Sequence, residues 1–206
     1  MVLRNKDSEN VASYFNQRAQ HYDTDSRRWP WRLIRSTESK AMQKMVGDTS
    51  GLSMLDLGCG SGYYTKIFAE KFPKRIVAVD ISAPMINQIN DPRIERFVGD
   101  AKSISLKSNF DIIISAGLLE FVPDYLAILK NARKHVKKSG RLILLMPKRN
   151  LAGAFYSLFH KLNGNIIQLI ELEQFRLAAA NCGWSLYKYR FVFPFSIIAA
   201  LKVASN

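Results

Sequence analysis

Two apolar rhythms alternate through the middle of the chain. Short aliphatic and β-branched runs, SMLDL (53–57), RIVAVD (75–80), IERFVGD (94–100), FDIIISA (110–116) and RLILLMP (141–147), read as strands. Between them, 62–71, 83–90 and 123–138 carry apolar residues at helical spacing. The third of these opens with VPDYLAIL, where a proline near the first turn is tolerated, and its cation-rich close, KNARKHVKKSGR, reads as a helix C-terminus with Gly140 at C′. DIIIS and LILLM do not alternate with polar residues, as is usual for strands buried on both faces. The repeat predicts an α/β fold: a doubly wound, mostly parallel sheet.

The flanks have another texture. Residues 8–46 read as one or two helices with Tyr14, Phe15, Tyr22, Trp29 and Trp31 set among charges, a lid over whatever the sheet binds. After Pro147 comes a loosely helical AGAFYSLFHKLNG, then a helix in IELEQFRLAAANCGW closed by Gly183, then a hairpin of SLYKYRFVF and SIIAALKV. No repeat or low-complexity linker interrupts the chain. The expected organisation is one domain over 1–206: a helical lid at 1–50, a binding core at 51–149, and substrate-side helices with the closing hairpin at 150–206.

Composition adds compartment and charge. The two cysteines, Cys59 and Cys182, match no metal or disulfide spacing, and the first residues lack an apolar signal region, so a cytoplasmic protein without a metal is expected. FVFPFSIIAALKVA (191–204) is too short to span a bilayer and carries a proline and a lysine. The net charge of +13 is uneven, with much of the excess in 130–141. That stretch reads as a solvated helix end or as a contact for an anionic acceptor, a membrane surface or nucleic acid.

The chemistry concentrates in DLGCGSGYYT, residues 56–65, directly after the first strand. In a doubly wound sheet that loop lies where strand order reverses and ligands bind. Gly58, Gly60 and Gly62, with Cys59 inside the loop, leave main-chain N–H groups open to a ligand. A dinucleotide fits poorly, because position 63 is Tyr63 rather than glycine and Asp56 would face a pyrophosphate. A ligand bringing an ammonium reverses that sign, and S-adenosylmethionine does so. Asp80 ends the second strand, where it can accept two ribose hydroxyls; Asp100 and the Ala101 N–H can meet adenine; Ile81 and Met85 can cover its faces.

With those stretches, VAVDISAPM, GDA (99–101), FDIIISAGLLEFVPD and VKKSGRLILLMP, residues 53–147 resemble the class I S-adenosylmethionine-dependent methyltransferases. The resemblance implies a seven-stranded Rossmann-like sheet whose C-terminal antiparallel hairpin contributes the sole antiparallel strand. It places Asp56, Gly58, Gly60 and Gly62 at the methionine part, Asp80 at the ribose, Asp100 and Ala101 at the adenine, and Ser115 beneath the sulfonium. YFNQRAQHYD is similar to the small-molecule branch, including the enzymes of quinone, biotin and magnesium-porphyrin synthesis, in which Tyr14 and Tyr22 would line the pocket.

A sulfonium methyl is already activated, so alignment and exclusion of water are the protein's main tasks. A hydroxyl acceptor would gain from a base, for which His160 and His21 are the candidates. Glu120 stands where relatives often carry a substrate-side histidine. The fourth strand lacks the Asn/Asp-Pro-Pro-aromatic grip for base amino groups, no cysteine is placed for cytosine C5 chemistry, and Asp124 alone cannot hold a catalytic metal. A small apolar or aromatic acceptor follows, enclosed by the aromatics of 14–31 and 155–159. Two rivals stand beside it: an RNA methyltransferase or basic nucleic-acid-binding protein with a vestigial cofactor site, drawn from the charge at 130–149, and a membrane-associated lipid methyltransferase, drawn from the basic surface and the apolar C-terminus.

Overall fold

The structure, a computed structural model, describes residues 6–26, 29, 31–162 and 166–204, with 6, 7 and 20–26 in backbone only. Helices α1 (Lys6–Ser26) and α2 (Trp31–Val46) precede β1 (Ser53–Leu57), α3 (Tyr63–Ala69), β2 (Arg75–Asp80), α4 (Ala83–Ile86), β3 (Ile94–Val98) and β4 (Phe110–Ala116). A 3-10 turn, Leu119–Phe121, leads to α5 (Tyr125–His135), β5 (Val136–Pro147), α6 (Leu151–Leu162), α7 (Leu172–Ala180), β6 (Trp184–Val192) and β7 (Ser196–Val203). The sheet has seven strands in the order β3-β2-β1-β4-β5-β7-β6. β7 runs antiparallel to both β5 and β6, and the other pairings are parallel. The predicted class I architecture and its closing hairpin are thereby met.

Alternation along the strands divides the core into two. Leu55, Leu57, Val77, Val79, Ile113 and Leu144 point to the layer holding Ile128, Leu129 and Phe175 from α5 and α7. Met54, Ile76, Ala78, Ile112, Ile114 and Ile143 point the other way, onto Met42, Val46 and Phe68 of α2 and α3. Because successive side chains take opposite faces and both faces are covered, these strands carry apolar residues at consecutive positions in their middles.

The expected helix over 123–138 is shorter than its period implied. α5 ends at His135, whose ring is held on both sides: Nδ1 lies 2.9 Å from Asn131 O, and Nε2 accepts the Leu106 N–H at 2.9 Å. The next residue already belongs to β5. Val136 pairs with Phe110, then the register jumps to Arg141 opposite Ile112, making a bulge. Gly140 lies in that bulge and is not a helix cap. A Cβ there would stand 2.9 Å from Phe110 O and 3.0 Å from Asp111 O, so backbone proximity requires glycine.

Half of the cations in the basic stretch are tied into the fold. Arg133 donates to Gly183 O, Lys137 pairs with Asp111 at 2.8 Å, and Arg141 donates to Val46 O at the end of α2. The expected helix at 83–90 shrinks to α4, capped by the Ser82 hydroxyl. The apolar C-terminal segment is an interior strand: Ile197, Ile198 and Leu201 are wholly buried between β5 and β6. Among the described residues, no helix is long and apolar enough to cross a membrane.

Candidate active site

The sheet's strand order reverses between β1 and β4, and the loop after β1 opens at that crevice. The N–H groups of Gly58 and Cys59 both donate to Val79 O, at 2.8 and 3.0 Å, which folds the loop back over β2. Gly58 has φ 74, and a Cβ there would lie 2.8 Å from Leu118 Cδ2. The loop therefore packs against the segment after β4 at a distance glycine alone permits.

Carboxylates line this end. Asp80, at the tip of β2, accepts the Gly60 N–H on Oδ2 at 2.7 Å and the Ser82 N–H on Oδ1 at 2.8 Å. Burial raises its pKa, while these backbone bonds pull it down. Each oxygen keeps a lone pair for an incoming hydroxyl. Asp100, beyond β3, accepts the Lys102 N–H at 2.9 Å and the Ser8 hydroxyl at 2.7 Å. α1 is pinned over these strand ends by that bond, by Ser82 Oγ to Asn16 Oδ1 at 2.6 Å, and by Gln88 Nε2 to Ala19 O at 2.7 Å.

A cavity of about 570 Å³ joins this end to a second one. Gly58, Cys59, Gly60, Asp80, Ile81, Met85, Asp100 and Ala101 line the first end, and Tyr14 lines the cavity from α1, its hydroxyl accepting from Arg18 at 2.8 Å. Burial holds the Cys59 thiol well above its ordinary pKa, leaving it a poor nucleophile.

The second end is aromatic. Tyr156 stacks on Phe195 with centroids 4.5 Å apart, and Trp31 meets Tyr156 and Phe159 at 5.9 and 5.3 Å. His160 sits among these rings and Phe121. Burial and the Arg18 charge push its pKa down to about 4, so the ring is neutral. Its Nδ1 is buried with no hydrogen-bond partner among the described residues, and the same holds for Glu120 Oε2. Burial, with the Glu38 charge adding to it, pushes Glu120 up to about 8. Glu38 is pushed up to about 6 by burial, against a hydrogen bond from the Ser196 hydroxyl and the Arg35 charge.

Three expected site residues lie behind the wall. Asp56 is buried, accepts the Thr65 hydroxyl at 2.6 Å and is pushed up to about 7 by burial, with the Asp80 charge adding to it. Gly62 starts α3 and faces Ile89. Ser115 points into the sheet's core with its hydroxyl unpaired among the described residues, and Ala116 and Gly117 line the cavity in its place. Strand alternation explains this, because Asp56 and Ser115 precede the residues at the strand tips. The side chains of His21 and Tyr22 lie outside those described.

Glu38 escaped the sequence reading, although a signal was present. It stands at the i+4 position between Ile34 and Met42, on the inward stripe of α2, where a carboxylate is out of place.

Residues 55–144 match the family described as "Methyltransferase domain". The chain is 32% identical over 97 residues to a malonyl-[acyl-carrier protein] O-methyltransferase of Priestia megaterium, covering 45% of this chain and 35% of that one. It is 29% identical over 147 residues to a demethylmenaquinone methyltransferase of Lactococcus lactis, covering 66% and 58%. The matches thus span 35% and 58% of the length of these curated relatives. In fold it is similar to the magnesium protoporphyrin IX methyltransferase of Synechocystis PCC 6803 with bound SAH, at TM-score 0.77, 18% identity, and coverage of 97% of this chain and 100% of that one.

Proposed function

We propose that this protein, whose residues 55–144 match the methyltransferase domain family and whose chain takes the class I S-adenosylmethionine-dependent methyltransferase fold, transfers a methyl group from S-adenosylmethionine to a small apolar or aromatic molecule. The observation that carries this reading is one continuous cavity, acidic and glycine-lined at the strand tips and aromatic at its other end.

These acceptors fit a cofactor that brings hydroxyls and an ammonium and carries no phosphate. Asp80 and Asp100 face that end, where the lining cation Lys102 lies 3.9 Å from Asp100. A pyrophosphate would meet two carboxylates. Asp80, held by two backbone N–H groups, would hold the ribose; Asp100 and Ala101 would meet the adenine; Ile81 and Met85 would cover its faces; Gly58, Cys59 and Gly60 would border the methionine part. When bound, the cofactor supplies an activated methyl group to an acceptor in line with its sulfur–carbon bond.

At the aromatic end, Tyr156, Phe195 and Trp31 would hold a flat or greasy body by ring contact and displace water. Protonated Glu120 can donate a hydrogen bond through its unpartnered oxygen, and neutral His160 can accept a proton. Those complementary groups suit an uncharged acceptor with a hydroxyl. Asp56 keeps a supporting role, fixing β1 to α3 through Thr65.

Calorimetric titration with S-adenosylmethionine, and separately with NADH, tests the first step, and a screen of hydroxyl acceptors tests the second. Binding of the sulfonium compound with methylated product supports the reading. Uptake of NADH with no heat from S-adenosylmethionine would overturn it.

A further inference from the structure

Helix α6 is apolar on both sides. Tyr156, Phe159 and His160 face the cavity, as an inward stripe should. The outward stripe, where a surface helix ordinarily carries charge, is Leu151, Phe155, Leu158 and Leu162, spaced i, i+4, i+7 and i+11 and 51–84% exposed. Trp29 and Phe193, on separate elements, are 77% and 86% exposed. Phe193 belongs to the turn whose Pro194 O accepts Asn150 Nδ2 at the start of α6, which brings it beside the helix. Trp29 lines the same cavity as Phe159. The apolar face and the cavity mouth are therefore continuous.

Charge accompanies it. From Lys148 to Ile170 the chain carries Lys148, Arg149 and Lys161 and no acid, and Arg32 is exposed on the first turn of α2, next to Trp31, which packs on α6. The apolar side chains project outward from a helix and a turn. A partner protein would need a concavity matched to each, whereas a bilayer interface admits protrusions at any spacing.

We propose that the outer face of α6, with Trp29 and Phe193, docks on an anionic lipid surface, and that the acceptor is an amphiphile that enters the cavity from that surface. The second half rests on the methyl-transfer reading; the docking itself does not. The apolar contact is carried by α6, and not by the C-terminal segment, which is interior strand.

Cosedimentation of the full chain with phosphatidylglycerol vesicles and with phosphatidylcholine vesicles tests it. Binding to the first, weakened by salt, and much weaker binding to the second are expected. The combined variant Phe155→Ser, Leu158→Ser, Leu162→Ser replaces exposed side chains outside the cavity lining, so an unchanged melting temperature certifies its fold. It should lower partitioning by about tenfold per side chain. Arg149→Gln with Lys161→Gln should lower the anionic preference by about tenfold or more. No partitioning to phosphatidylglycerol, or a dimer in sedimentation velocity that the serine variant dissolves, would overturn the proposal. Vesicle binding is read without donor or acceptor, so its failure is distinct from a failure of methyl transfer.

Discussion

The N–H of Gly60 donates a 2.7 Å hydrogen bond to Oδ2 of Asp80, tying the glycine loop to the tip of the neighbouring strand. The bond fixes the carboxylate's direction before any ligand arrives. An acceptor oriented in advance loses less freedom on binding.

Asp80→Ala is therefore expected to weaken S-adenosylmethionine binding by about a hundredfold, since hydrogen bonds to a charged group are the stronger kind. Calorimetry checks this, with a melting curve for the fold. Wild-type affinity in the variant would refute the ribose assignment.

Glu38, Asp56 and Glu120 titrate near 6, 7 and 8 in the folded protein, above their ordinary values. The native state thus keeps protons that the unfolded chain has released, and stability falls as pH rises through each folded value. His160, lowered to about 4, acts with the opposite sign between about pH 4 and 6.5. Above about 6.5 the acids act without that opposition. The melting temperature should decline from about pH 6.5 to 8.5, and Glu120→Gln should flatten the decline. An unchanged slope in that variant would show that Glu120 is ionised when folded.

Glu120→Gln and His160→Phe separate the two ends of the cavity. Each should leave donor affinity within about twofold and lower kcat/KM for the acceptor by about tenfold or more. Loss of donor binding in either would move that residue to the cofactor's side.

Gly58→Ala meets two obstacles, a positive φ and the Leu118 side chain 2.8 Å from the new Cβ. A cost of about 2–4 kcal/mol is expected, combining left-handed strain with overpacking. Chemical denaturation measures it. Leu118→Ala in the same chain should return part of the loss, and no return would mean that the strain lies in the backbone alone.

The central strands were legible because full cover leaves aliphatic runs, and Asp80 was legible because it ends such a run; Asp100 follows an edge strand, IERFV, with mostly exposed side chains, and was legible by its place in the strand–helix order. The start of β5 was not. VKKSG continues the charged texture of α5, and β4 recruits it through a bulge that has no local signature. Asp56 and Ser115 were placed by motif, yet strand alternation turns them inward. Glu38 and Glu120 are 82 positions apart, and their meeting at one cavity is a product of tertiary packing alone.

The position of β7 sets an order of assembly. β6 pairs with β7 and has no neighbour among the other strands, so it cannot join the growing sheet until the segment made after it has arrived. During synthesis of roughly the fifty residues between the end of β5 and the start of β7, the β5 edge stands unpaired. A nascent chain stalled in that interval presents an apolar ledge to its neighbours, and this is the stage at which a ribosome-bound chaperone has most to shield.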